Sequence, residues 1–155
     1  MKGNQQVIDA LNKLLANELT AMDQYFIHSR MYDDWGLSKL YERIDHEFDD
    51  EKGHASKLIE RILFLEGTPN LTVRDAIHVG TDVPSMLEND LKVEYAVAAM
   101  LKETIKICED VQDYNTREML EVLLDDTEID HAYWLEKQLG LIKMLGLPNY
   151  LQSQM

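Results

Sequence analysis

The 155-residue chain holds a single cysteine, Cys108. A lone thiol closes no intramolecular disulfide and builds no cysteine-based zinc or iron–sulfur site. That usage fits a reducing compartment, and Cys108 falls on an apolar stripe, where a buried small hydrophobe is expected. Glycine and proline are scarce, at seven and three, while Leu, Glu, Lys, Met and Ala are plentiful, so helix is favoured over sheet or disorder. No run approaches the ~20 apolar residues of a membrane span, and Met1–Gln6 lacks the apolar core of a signal peptide. A cytoplasmic, non-membrane protein is expected. Positive charge is also short: 15 Lys and Arg stand against 29 Asp and Glu, for a net −14. This excludes nucleic acid and anionic membranes as natural partners and favours cations.

Four long segments carry a helical period. They cover about residues 4–34, 38–66, 83–110 and 116–145, with Ser38 and either Asn115 or Thr116 expected as caps. The first and second meet at a short turn around Trp35-Gly36, and the third and fourth near Asp113–Asn115, so each pair should form an antiparallel hairpin. About 18 residues from Gly67 to Pro84 show no helical period. A helix of ~28 residues is ~42 Å long, which ~13 extended residues can span. The connection can therefore return along the whole bundle. A short fifth helix, about 148–153, is expected after Gly146, opened by Pro148.

The apolar stripes are interrupted at one position per helix, by Glu18, Glu51, Glu94 and Glu128. A carboxylate in a bundle core is costly unless paired or bound to metal, and no Lys or Arg sits clearly on the same stripes. Two of the four open the only Glu-x-x-His runs, Glu51–His54 and Glu128–His131. Three-residue spacing puts both side chains on one helix face. Runs this short arise by chance, so the weight falls on their position. Glu18 precedes Glu51 by 33 residues and Glu94 precedes Glu128 by 34, so the two halves of the chain repeat one chemistry. A lone Glu on one helix and Glu-x-x-His on its partner, twice over, fits a dinuclear carboxylate site in a four-helix bundle. Four carboxylates balance two divalent ions. Oxygen-rich ligation with a few imidazoles suits Fe2+, with Mn2+ or Zn2+ as substitutes.

Longer stretches carry a more specific likeness: Asn17-Glu18-Leu19, Gln24-Tyr25-Phe26, Asp34-Trp35-Gly36-Leu37, the run Glu60 to Gly67, and Gly146 to Gln152. With these residues the chain resembles the bacterioferritin family over nearly its whole length. The resemblance implies an all-α, ferritin-like four-helix bundle with a long crossover loop and a short fifth helix. It implies iron storage and detoxification in a 24-subunit shell. Fe2+ would be oxidised with O2 or H2O2 at a site of two irons per subunit, and a ferredoxin-type reductant would release the stored iron. By the same resemblance Glu51 and Glu128 bridge the irons, Glu18 and His54 complete one, and Glu94 and His131 the other. His46 and Asp50 match an inner-surface iron site, Tyr25 a residue that donates an electron during oxidation, and Asn149 and Gln152 polar residues at four-fold pores.

Two departures qualify this. The family's haem-binding members place a methionine between the Glu and His of the first run, where this chain has Lys52. An ammonium has no lone pair, so haem binding by this chain alone is not expected, although a shell mixed with a haem-binding paralogue would restore it. The other departure is the additional residue between Glu94 and Glu128, to be absorbed as a π-bulge or in the turn near Asp113; the stripe Leu124–Glu128–His131–Leu135 implies that Glu128 stays on the site. Competing readings are a di-iron peroxidase or oxygenase on the same bundle, a non-catalytic subunit of a mixed shell, and a scaffold whose site only sets helix register.

Overall fold

A computed structural model describes residues 1–155. The chain is helical without strands: α1 (Gln5–Asp34), α2 (Ser38–Phe64), α3 (Val83–Asp110), α4 (Tyr114–Asp125), a π-helical segment (Asp126–Ala132), α5 (Tyr133–Leu145) and α6 (Leu147–Ser153). The last long helix is thus continuous from α4 through the π segment into α5. With α1–α3 it makes a four-helix bundle that carries α6 at one end. This is the ferritin-like architecture, and α1 and α2 form its most extensive pairing.

The ends have local causes. Asn4 caps α1 by accepting from the N–H groups of Gln6 and Val7, and Asp82 and Ser85 form a reciprocal capping box at α3. Two expected caps differ. Ser38 is the first residue of α2, after an uncapped Leu37. The cap of α4 is Asp113, whose side chain accepts from Thr116 N–H at 3.1 Å. Ser38 lies one residue past its cap position, and Asn115 and Thr116 lie two and three past theirs, because several cap-type residues crowd each turn.

The helix α2 stops at Phe64 rather than near residue 66, because Glu66 takes the left-handed conformation (φ 62°) and Gly67 N–H closes on Ile62 O at 2.9 Å. The glycine of this motif serves close approach, not backbone freedom. A Cβ on Gly67 would meet Ile8 Cγ2 at 2.7 Å and Ile62 Cγ2 at 3.0 Å. Gly67→Ala is expected to destabilise the chain by about 1–3 kcal/mol, read as a lower urea midpoint at unchanged slope.

The crossover returns along α1. Asn12 meets Thr68 and Asn70, Thr20 accepts from Asp75 N–H, Gln24 Oε1 from His78 N–H, and His28 Nε2 from Gly80 N–H. These α1 residues form one polar face, so the segment lies lengthwise on the bundle and satisfies its backbone there.

The core splits in two. One apolar cluster gathers Leu11, Leu14, Leu58, Ile62, Leu101, Cys108, Leu120 and Leu123. The other gathers Tyr25, Tyr32, Leu40, Ile44, Met86, Leu87, Leu135 and Tyr150. Between them lies a buried polar layer. No helix is long and apolar enough to cross a membrane.

Candidate metal centre

The polar layer contains Glu18 from α1, Glu51 and His54 from α2, Glu94 from α3 and His131 from the π segment, all between 0% and 4% exposed. They fall into two trios, Glu18–Glu51–His54 and Glu51–Glu94–His131. Within each, one ligand atom per residue lies within 4.8 Å of the others. Glu51 belongs to both. His54 Nδ1 lies 3.6 Å from Glu18 Oε2 and 3.5 Å from Glu51 Oε2. His131 Nδ1 lies 3.0 Å from Glu51 Oε1 and 3.4 Å from Glu94 Oε1. The two imidazoles stack at 5.7 Å with 19° between planes.

None of these approaches completes a hydrogen bond. Both oxygens of Glu18, one oxygen each of Glu51 and Glu94, and Nδ1 of both histidines are buried without a partner. Six orphaned donor atoms converging from all four long helices are far more than a folded core tolerates by accident. Metal coordination would account for them, and the donor set of hard oxygens with two imidazole nitrogens fits Fe2+ or Mn2+.

The outer ring nitrogens are held by carboxylates. His54 Nε2 meets Asp126 Oδ2 at 3.2 Å, and His131 Nε2 meets Glu47 at 2.6 Å and Asp50 at 3.3 Å. A carboxylate behind a histidine fixes the ring and leaves the inner nitrogen free for metal. Tyr25, also buried, donates its hydroxyl to Glu94 Oε1.

Without metal, protons carry the compensating charge. Burial disfavours imidazolium at His54, but Glu18 and Glu51 outweigh it and push its pKa up to about 11. At His131 burial is likewise overcome, by Glu47, Glu51 and Glu94, and the pKa rises far above its usual value. Burial, then the Glu51 carboxylate, raises Glu18 well above the usual range, and burial raises Glu94 against the pull of His131. A cation at Nδ1 must displace these protons. Mn2+ affinity is therefore expected to increase between pH 6 and pH 8, with proton release on binding visible to an indicator dye; a pH-independent affinity would contradict the ligand set.

Glu128 departs from its expected place. Its side chain is 44% exposed and pairs with Lys102 Nζ at 3.3 Å, outside both trios. The cause is helix phase. The inward residues are Leu120, Leu123 and Thr127, then His131 and Leu135. Leu124 and Glu128 sit one position further round. The additional residue is absorbed as a full π turn, which brings His131 back onto the site after Thr127 has taken the position read for Glu128. Thr127 spends its hydroxyl on Leu123 O.

His46 is 63% exposed and reaches only Asp50, at 3.4 Å. Lys52, Asn149 and Gln152 are exposed. Sequence reasoning overlooked Glu47, 2% exposed and paired with Arg43 and His131. Its position three residues after Ile44 and four before Glu51 was the available signal.

A family profile described as a ferritin-like domain matches residues 8–145. The chain is 64% identical over 155 residues to a protein named bacterial ferritin from Synechocystis sp., covering 100% of this chain and 99% of that one. It is 60% identical over 154 residues to a bacterial ferritin from Pseudomonas aeruginosa, covering 99% of each. A bacterioferritin from Brucella melitensis is 41% identical over 150 residues, covering 97% of this chain and 92% of its own. With identity sustained over practically the full length of both partners, this chain belongs to the bacterioferritin family of the ferritin-like superfamily.

Proposed function

We propose that the chain stores iron, oxidising Fe2+ at the two trios and depositing the ferric product within a shell of 24 copies. The observation that carries this reading is the convergence of six unpartnered donor atoms on a layer walled by apolar clusters. The net charge of −14 draws Fe2+ to the particle.

Fe2+ is the substrate, two ions per chain. Glu18 and His54 hold one, Glu94 and His131 the other, and Glu51 lies between them. Anionic oxygens stabilise Fe3+ more than Fe2+, so the same ligands that bind the ion make it easier to oxidise. The two ions together give up two electrons. O2 accepts them with two protons to leave as H2O2, and H2O2 as the oxidant leaves as water. Tyr25, bonded to Glu94, is placed to lend one further electron.

The displaced Glu128 favours one second reading, a subunit of a mixed shell with slow or no oxidation of its own. Homopolymer purified alone separates the two. A particle of about 24 chains that takes up hundreds of irons per shell supports storage by this chain. A 24-mer that fills only with a second subunit present supports the mixed shell. A metal-free dimer contradicts both. The homopolymer is expected to show no haem Soret band, because Lys52 offers no thioether.

A further inference from the structure

The π segment decides which side chains of the last long helix face the centre. Thr127 lies one turn after Leu123 and keeps the phase of α4. His131 lies one turn before Leu135 and keeps the phase of α5, and all four are buried. The wide turn therefore falls between Thr127 and His131. Were it to move towards the C-terminus, His131 would take the phase of α4 and rotate off the centre. Were it to move towards the N-terminus, Glu128, three residues before His131, would turn inward in place of Thr127. A π turn is a rare arrangement that sits beside functional residues, and its position calls for a contact that fixes it.

Arg43 supplies that contact. The helix α3 packs closely along the π segment but α2 does not, and long side chains bridge the gap. Arg43, on α2, is the one side chain of another helix that hydrogen-bonds to the backbone of the segment. Its Nη2 donates to Asp130 O at 3.1 Å and to Asp130 Oδ1 at 3.2 Å. Its Nε donates to Glu47 Oε1 at 2.6 Å, and its guanidinium carbon lies 4.7 Å from the centroid of the Trp134 ring. One planar fork thus touches the residue before His131, the residue three after it, and Glu47, the carboxylate behind its ring. The segment is held on both sides of the histidine. A wide turn that moved past His131 would rotate Asp130 relative to Trp134, and Arg43 could not keep both contacts.

We propose that Arg43 is a positioning residue that sets the register of the π segment and so places His131 at the dinuclear centre. It touches no metal ligand atom. It acts through the backbone at Asp130 and through Glu47, and so on the trio of His131 alone. The trio of His54 draws its residues from α1 and α2, which need no register from the π segment. The fork matters as well as the charge: a lysine ammonium is a point charge that cannot reach Glu47, Asp130 and the Trp134 face from one rigid plane. The proposal rests on the metal-centre reading for its consequence at His131, while the effect on the π segment itself is measurable without metal.

Anaerobic titration with Co2+, followed by its visible absorption, tests this in two backgrounds. His54→Ala leaves only the trio of His131 intact. Adding Arg43→Met, which keeps the stem and removes the fork, should weaken the remaining Co2+ by about tenfold or more, and Arg43→Lys should not rescue it. His131→Ala leaves only the trio of His54 intact, and there Arg43→Met should change the affinity by less than about threefold. In the metal-free single variant Arg43→Met, amide exchange should quicken about tenfold in Asp126–Ala132 and stay at the wild-type rate in α3. An unchanged affinity in the first background, equal losses in both, or full rescue by Arg43→Lys would overturn the role of Arg43. So would unchanged exchange in the π segment. A wild type that takes up no Co2+ would overturn the metal centre instead, and the exchange rates would still decide whether Arg43 holds the segment.

Discussion

Alanine at Glu51 is expected to slow Fe2+ oxidation by at least about 100-fold. Glu51 is the only residue common to both trios, so its loss deprives both ions of a ligand and removes the group that holds them near each other. Loss of one outer partner of a metal-binding histidine typically costs 10- to 100-fold, and a shared ligand should cost more. The metal-free variant is expected to fold but to melt below the wild type, because Glu51 is a buried counter-charge shared by His54 and His131. Stopped-flow absorbance after mixing with Fe2+ in air, with calorimetry on the metal-free protein, reads both. A variant that is slow only because it is unfolded would mean that Glu51 serves the fold rather than the metals. One that oxidises at the wild-type rate would place the chemistry elsewhere. Glu128→Ala is the natural companion: pairing with Lys102 outside the site, it should change the initial rate by less than about threefold.

Alanine at His28 is expected to be the most damaging change away from the metal layer, about 3–5 kcal/mol. His28, Asp90 and Gln24 are all at most 1% exposed. Gly80 N–H donates to His28 Nε2 at 3.2 Å, so Nδ1 carries the proton and donates to Asp90 Oδ1 at 2.8 Å. Gln24 Nε2 donates to the same oxygen, and Gln24 Oε1 accepts from His78 N–H. One substitution thus strips a partner from a buried carboxylate, orphans a backbone N–H of the crossover and opens a cavity. Urea denaturation of the metal-free protein measures the loss. A change under 1 kcal/mol would mean that solvent enters and replaces these bonds. Hydrogen exchange should quicken at His78 and Gly80 before it does in α2.

Much of this was legible in the sequence because it rests on local rules. The turn at Trp35-Gly36, the short connection near Asp113, and a crossover long enough to return along the bundle follow from periodicity, punctuation and reach. So does the inward placement of Glu18, Glu51, His54 and Glu94, which lie on unbroken stretches of their stripes, whereas His131 returns to the layer only through the π turn. Glu128 was misplaced because a 3.6-residue period was carried through a segment that turns more slowly. A π turn consumes an additional residue and leaves no compositional mark, so Leu124 and Glu128 looked inward when Leu123 and Thr127 are. Glu47 and the polar face Asn12–Thr20–Gln24–His28 were illegible for another reason. Their burial depends on elements distant in sequence: His131 and Arg43 for Glu47, the crossover for α1. A polar residue beside an apolar stripe looks solvated until its cover is known.

The centre itself is best tested by diffraction from crystals of the homopolymer soaked anaerobically in Mn2+, with data collected to reveal the anomalous signal of the metal. Two peaks should lie in the bundle core, one among Glu18, Glu51 and His54 and the other among Glu51, Glu94 and His131, with Glu128 still turned towards Lys102. A core without peaks, or a peak ligated by Glu128 in place of Glu51, would contradict it.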